Sequence, residues 1–91
     1  MVARTLPDGL PVSLRGRDAW CLRQLAAAGE RGCTPIDNPA PRWSGYVHKL
    51  RKAGFPVETI HEQHGGDFPG HHARYVLRAD VEIAEVAEAA A

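Results

Sequence analysis

The spacing of the apolar residues changes at Gly54, and this change constrains the fold more than any other feature of the sequence. Before it, Trp43, Val47 and Leu50 recur at i, i+4 and i+7, the spacing that places side chains on one face of an α-helix. We therefore predict a helix over residues 41 to 53 whose apolar stripe faces a core and which ends at the glycine. Beyond Gly54 apolar and polar residues alternate, which predicts strands.

Two strand candidates follow this helix, over residues 55 to 61 and 73 to 78. The residues between them are rich in glycine and include a proline, so we expect a long hairpin loop over residues 62 to 72. Alternation along the second strand predicts that two of its side chains, Tyr75 and Leu77, face the core, and that Arg74, Val76 and Arg78 face outward.

The chain before residue 41 predicts two further helices. Ser13 is suited to cap a helix over residues 13 to 28, and Gly29 is suited to end it. Thr34 is suited to start a second helix, which Pro39 limits to about one turn.

The two ends of the sequence differ from the middle. Two prolines and a glycine without any apolar period predict a flexible N-terminal arm. Asp80 is suited to cap a C-terminal helix that is rich in alanine and glutamate. The sequence therefore divides into an arm over residues 1 to 12, a folded domain over residues 13 to 78, and an acidic helical tail over residues 79 to 91.

The chain has 91 residues, of which 44% are apolar, which is enough for one domain with a small core but not for an elaborate catalytic cavity. We expect a cytoplasmic protein without membrane contact, because no stretch resembles a signal peptide or approaches the roughly 20 apolar residues that span a bilayer. Cys21 and Cys33 form no C-x-x-C pair and are expected to be reduced. The sequence contains no nucleophile elbow and no phosphate-binding loop, so we expect neither an enzyme nor a cofactor.

The formal net charge is zero, but the charges are segregated along the chain. Residues 1 to 53 hold nine Lys or Arg against four acidic residues, whereas residues 79 to 91 hold four acidic residues and no basic one. The predicted helix over residues 41 to 53 contains no acidic residue. This distribution favours an anionic partner for the front half of the chain.

The order of these elements resembles that of a winged helix-turn-helix. Residues 42 to 59, closed by residues 73 to 77, are similar to the small winged-helix proteins of bacteria and their phages. In that family the recognition helix ends in a pattern like I-H-x-L-R-x-x-G and runs into the wing, as residues 47 to 54 do here with VHKLRKAG. The resemblance implies an α+β fold with three helices, the second shorter than usual, and a two-stranded β-hairpin wing, followed here by the C-terminal acidic helix or tail.

Double-stranded DNA is the partner that this helix favours. An α-helix fits the major groove, where basic side chains neutralise phosphates or donate hydrogen bonds to guanine, and the wing would reach an adjacent backbone. The role would be transcription control or another DNA transaction in a bacterium or phage. The predicted DNA-binding residues are Arg42, Ser44, Gly45, Tyr46, His48, Lys49, Lys52, His64, His72 and Arg74.

Four histidines lie in or beside the hairpin loop, at positions 61, 64, 71 and 72. His61 and His64 are three residues apart in a glycine-rich segment, whereas the zinc-protease motif places its histidines four apart on a helix. We therefore expect no catalytic or metal site and interpret these residues as solvated wing side chains. A structural metal site is the alternative, because histidine-rich segments can bind zinc.

A protein partner is the alternative to DNA. Trp20 lies nearly opposite the apolar stripe of the first helix, so either another segment covers it or it contacts a partner. The apolar residues of the tail either pair with a second copy of the chain or fold back onto the first helix. On this hypothesis the chain is a protein-binding winged-helix module, such as a phage-encoded inhibitor of a host defence complex.

Overall fold

A computed structural model describes residues 1 to 38, 42 to 65 and 70 to 84. In this part of the chain no helix is long and apolar enough to span a membrane. The described residues form two α-helices and five strands: β1 (Val2–Thr5), β2 (Val12–Ser13), α1 (Gly16–Ala28), α2 (Trp43–Lys52), β3 (Val57–His64), β4 (Gly70–Leu77) and β5 (Val81–Ala84).

Helix α1 packs its apolar side into the core and begins later than predicted. Ser13 lies in β2, and the residue before the helix is Arg15, whose backbone is extended. Gly29 ends α1 with a φ of 58°, which confirms the predicted stop. Trp20 is half-buried against Trp43 of α2, with ring centroids 5.4 Å apart, so α2 is a segment that covers it.

The predicted second helix is not formed as a helix. Residues 29 to 31 make a 3₁₀ turn, and residues 34 to 38 make a single turn in which the N–H of Asp37 donates to Oγ1 of Thr34. Thr34 therefore caps as predicted, but the described residues that follow it, 35 to 38, form only a single turn. Pro39 follows this turn, and a proline has no N–H for a further helical hydrogen bond. Just before the turn, Cys33 exchanges two backbone hydrogen bonds of 2.8 Å with Tyr75, which holds the chain extended beside β4. Residues 39 to 41 lie outside the described residues.

Helix α2 confirms the predicted apolar stripe, because Trp43, Val47 and Leu50 are all buried. The helix begins at Trp43, since Arg42 before it adopts a left-handed conformation with a φ of 65°. Trp43 also stacks on Tyr75 of β4 at 5.8 Å. These contacts fix α2 against both α1 and the hairpin.

The hairpin is longer and its loop shorter than predicted. Strands β3 and β4 pair in a continuous antiparallel register from Val57 opposite Leu77 to His64 opposite Gly70. The prediction that Val76 faces outward is wrong, since only 1% of it is exposed. Gly32 passes directly over Val76, so closely that a Cβ at that glycine would lie 2.8 Å from Cγ2 of Val76. The segment between the helices therefore covers a side of the hairpin that alternation alone assigns to solvent.

Both ends of the described chain join one sheet, in the order β2, β1, β5, which corrects two predictions. The expected flexible arm contains β1, whose Ala3 is buried, and the prolines and glycine belong to the loop between β1 and β2. The expected terminal helix begins instead with β5, because Val81 and Ile83 alternate with polar or small residues and pack on the core while β1 supplies hydrogen bonds. Residues 85 to 91 of that predicted helix lie outside the described residues.

Candidate nucleic-acid interface

The exposed face of α2 lies opposite its buried stripe. Ser44, His48, Lys49 and Lys52 are exposed, as is Arg42 just before the helix. Gly45 is half-buried, and a Cβ there would meet only the Cβ of Arg42, at 3.9 Å. Tyr46 is half-buried against the core, so only part of its ring is accessible. The structure thus brings seven of the predicted DNA-binding residues to one helix, in the order Arg42, Ser44, Gly45, Tyr46, His48, Lys49 and Lys52.

The cations of this face are largely uncompensated. Lys49 comes within 4.0 Å of Asp18 on the first turn of α1, which places that turn beside α2, and 66% of the Lys49 side chain remains exposed. Within the described part of the chain, neither Arg42 nor Lys52 has a carboxylate partner. The face therefore presents positive charge to solvent.

Arg51 of α2 has a structural contact that sequence reasoning missed. Its Nε donates to the backbone oxygen of Val57 at 2.8 Å, and its Nη2 donates to Oγ1 of Thr59 at 2.6 Å. Its position in the sequence could have predicted such a contact, because Arg51 lies one helical turn after Val47 and therefore at the edge of the buried stripe. Arg51 consequently links the last turn of α2 to β3.

The hairpin carries a second group of charged residues, centred on Glu62. The carboxylate of Glu62 lies 2.9 Å from Nε2 of His72 and accepts from Nε of Arg74 at 2.8 Å. Arg74 also donates through Nη1 to the backbone oxygen of Arg31 at 2.7 Å. The hydrogen bond from Arg74, helped by His72, lowers the pKa of Glu62, and the same contact raises the pKa of Arg74. Two predicted DNA-binding residues, His72 and Arg74, are thus engaged inside the protein, through a glutamate that the register places opposite His72.

The remaining candidate residues of the sequence are His64, the possible metal ligands and the two cysteines. His64 pairs through its main chain with Gly70, at the end of the described hairpin. In the parts of the chain that the structure describes, no three His, Cys, Asp or Glu residues are grouped to hold a metal ion. Cys21 and Cys33 are free thiols and buried, and burial raises the pKa of both, that of Cys21 to about 12.

Helix α2 packs on α1, runs into the long β3–β4 hairpin and leaves its opposite face exposed. This arrangement is that of a winged-helix domain. The family described as winged helix domain matches residues 11 to 87, and the chain belongs to it. No curated protein and no solved structure matches the chain. Winged-helix domains in general bind DNA by placing one helix in the major groove.

Proposed function

We propose that this protein binds double-stranded DNA through α2, as a non-enzymatic factor in transcription control or another DNA transaction. The observation that carries the proposal is the exposed face of α2, where Arg42, Lys49 and Lys52 stand on or beside a helix without a single acidic residue. Because DNA is the partner, the proposal implies a cytoplasmic protein.

The pairing of charges elsewhere supports this assignment. Arg4 donates to Glu82 at 3.1 Å, Arg74 to Glu62, and Arg78 donates through Nε to Glu58 at 2.8 Å. These three arginines outside α2 therefore have their charge compensated within the protein. A net charge of zero is consequently compatible with phosphate binding, because positive potential remains where α2 is exposed.

The positions of the side chains along α2 suggest a division of roles. Recognition helices contact base edges mainly with their N-terminal residues. Here Ser44 and Gly45 lie in the first turn of α2, and His48 follows about one turn later on the exposed side. Lys49 and Lys52 follow in the second half, where flexible ammonium groups suit phosphate contacts. Base contacts are thus assigned to Ser44 and His48, and phosphate contacts to the lysines.

The deciding experiment measures affinity for a labelled random-sequence duplex as salt rises from about 50 to about 200 mM. Lys52→Ala is expected to weaken binding and to reduce the salt slope by about one unit, because one phosphate contact and its released counterion are lost. Lys49→Ala should act in the same direction. Arg4→Ala removes the same charge from a residue paired with Glu82 and is the matched control.

A smaller slope for Lys52→Ala than for the wild-type protein, with Arg4→Ala unchanged, supports the proposal. Equal salt slopes for the wild-type protein, Lys52→Ala and Arg4→Ala would show that the contact surface lies outside α2. Absence of duplex binding even at low salt would overturn the proposal and favour a protein-binding module. That second candidate has an observation of its own, because Ile36 is 56% exposed in the turn that precedes α2.

A further inference from the structure

Strand β3 has one edge along which no described strand pairs. At its other edge, next to β4, the N–H of Arg78 donates to the backbone oxygen of Pro56 at 2.8 Å. Main-chain groups in an antiparallel pair point toward the partner strand at every second residue. The even-numbered residues of β3 therefore point these groups toward β4, and the odd-numbered residues point them away. Tyr75, which lies opposite Thr59, agrees with this assignment because it bonds Cys33 through both of its main-chain groups.

The free edge of β3 begins beyond the contact with α2. The backbone oxygen of Val57 accepts a hydrogen bond from Arg51, so α2 occupies this first position. The next three odd-numbered residues are Thr59, His61 and Gln63, and none of their six main-chain groups has a partner among the described residues. His61 and Gln63 are also exposed. Such a row of unpaired N–H and C=O groups is a template for another strand.

Other edges of the described structure are protected against strand addition. Strand β2 is two residues long and follows Pro11, and the second edge of β4 is occupied at Tyr75 by Cys33. Strand β3 has eight residues without a proline or a lysine, and its register with β4 runs without a bulge. Short length, proline, lysine and bulges are the usual means of blocking an edge, and β3 has none of them.

We propose that β3 pairs with β3 of a second copy of this chain, antiparallel and about a two-fold axis at His61. In this register His61 lies opposite His61 of the second copy, and Thr59 lies opposite Gln63. All six free main-chain groups of each copy then form hydrogen bonds between the copies. The inference goes beyond the proposed function, since it concerns the edge of the hairpin and not the exposed face of α2.

Charge selects this register among the two-fold arrangements. A pair centred on Ile60 would place Glu58 opposite Glu62 of the second copy, and a pair centred on Glu62 would place that glutamate opposite itself. Like charges directly opposite each other destabilise a strand pair. In the pair centred on His61, Glu62 lies opposite Ile60 instead. The formal net charge of zero also means that two copies do not repel each other at long range.

Arg51 provides a charge close to the proposed contact. Its Nη2 donates to Oγ1 of Thr59 at 2.6 Å. Side chains directly opposite each other in a strand pair share a face, so Gln63 of the second copy would lie beside Thr59 and its arginine. A charge introduced at position 63 should therefore interact with Arg51 of the other copy.

The test measures apparent mass by sedimentation equilibrium as the chain concentration rises from about 1 µM to about 1 mM. The mass of the wild-type protein is expected to rise from that of one chain toward that of two. Gln63→Glu should lower the Kd of the dimer and Gln63→Lys should raise it, each by about fivefold, because Arg51 attracts a carboxylate and repels an ammonium group. Both changes are at an exposed position, so thermal midpoints should stay nearly constant.

His61→Pro removes the N–H at the centre of the proposed pair while leaving the hydrogen bonds to β4 in place. The Kd of the dimer should rise at least about tenfold, because each copy loses one hydrogen bond to the other. Ser13→Pro is the matched control. The N–H of Leu14 donates to Met1 across the β1–β2 pair, so that of the exposed Ser13 points away from β1, and its loss should not change the mass.

Cross-linking tests the register itself. Oxidised glutathione should convert His61→Cys into a covalent dimer, because opposite Cα atoms in a hydrogen-bonded pair lie about 5.5 Å apart, within the range of a disulfide. Gln63→Cys should cross-link much less, since the two cysteines would be four residues out of register and about 13 Å apart. The native Cys21 and Cys33 are buried.

A wild-type protein with the mass of one chain up to about 1 mM would overturn the inference, and duplex binding by that monomer would leave the proposed function standing. A dimer that His61→Pro does not weaken, or equal cross-linking of the two cysteine variants, would overturn it as well. If His61→Pro proves to be unfolded by its thermal midpoint, the opposite effects of the two Gln63 variants decide, and equal Kd values for them would contradict the pairing.

Discussion

Arg51 of α2 donates a hydrogen bond of 2.6 Å to the hydroxyl oxygen of Thr59 on β3, and so joins α2 to the hairpin. A second hydrogen bond from Arg51, to the backbone oxygen of Val57, fixes the direction of the guanidinium. Arg51, together with the stacking of Trp43 on Tyr75, therefore sets the position of the hairpin relative to α2. Arg51 should support DNA binding through geometry rather than through a phosphate contact.

Arg51→Met is expected to lower the free energy of unfolding by about 1 to 3 kcal/mol, because hydrogen bonds from a charged group are lost. Duplex affinity should fall while the salt slope stays at the wild-type value. Lys52→Ala is the contrast, since there the slope itself falls. A reduced slope for Arg51→Met would show that Arg51 contacts a phosphate directly.

Gly32→Ala is expected to destabilise the fold more than Gly29→Ala. Both glycines have a positive φ, so the backbone strain of an alanine is common to the two variants. Only at Gly32 would the new Cβ collide, at 2.6 Å from the backbone oxygen of Tyr75, whereas at Gly29 nothing lies within 4 Å. Urea unfolding should show an additional loss of about 1 to 3 kcal/mol for Gly32→Ala. Equal midpoints would mean that the segment over Val76 can move aside.

Leu50→Ala should cost about 2 to 5 kcal/mol, a large part of the stability of so small a domain, because it opens a cavity under α2. Leu10→Ala is the matched control, since Leu10 is 83% exposed and the same truncation should change stability by less than about 0.5 kcal/mol. Denaturant midpoints measure both. Similar losses for the two leucines would contradict the packing of α2.

Stability should fall at alkaline pH. Burial, with Cys33 and Asp18 nearby, raises the pKa of the Cys21 thiol from its ordinary 9.0 to about 12. In that interval the unfolded thiol loses its proton while the folded thiol keeps it, so the free energy of unfolding is unaffected below about pH 8 and decreases as pH rises from about 9 toward 12. Cys33 and Tyr75 act in the same direction. Urea midpoints at about pH 8 and pH 10.5 test this, and Cys21→Ala should show a smaller decrease than the wild-type protein.

Helix α2 and the hairpin could be predicted from the sequence because their signals are local. Trp43, Val47 and Leu50 span two turns of one helix, and Gly54 marks the end of that pattern. Strands β1 and β5 could not be predicted in the same way, since a four-residue strand is too short to show a period. Each strand is stabilised by a partner about 80 residues away in the chain.

The residues of the candidate site also differ in whether local sequence spacing could predict their environment. The basic face of α2 follows from helical spacing alone, and the structure keeps Arg42, Lys49 and Lys52 exposed. The engagement of Arg74 by Glu62 depends on hairpin register, and that of Arg51 by Thr59 on how the helix meets the strand. Sequence identifies which residues are charged, whereas their availability to a ligand depends on tertiary contacts.

The pairing of β1 with β5 has a consequence for the order in which the chain folds. Val2 meets Ala84, so this pair closes nearly the whole described chain into one loop, whereas α2 and the hairpin join neighbours only a few residues apart. Closing a long loop costs more chain entropy than closing a short one, and nonlocal pairing slows folding. We therefore expect the helices and hairpin to assemble first and the β1–β5 pair to form last. During synthesis, β1 would keep one edge unpaired until β5 is made, while the helices and the hairpin are already assembled.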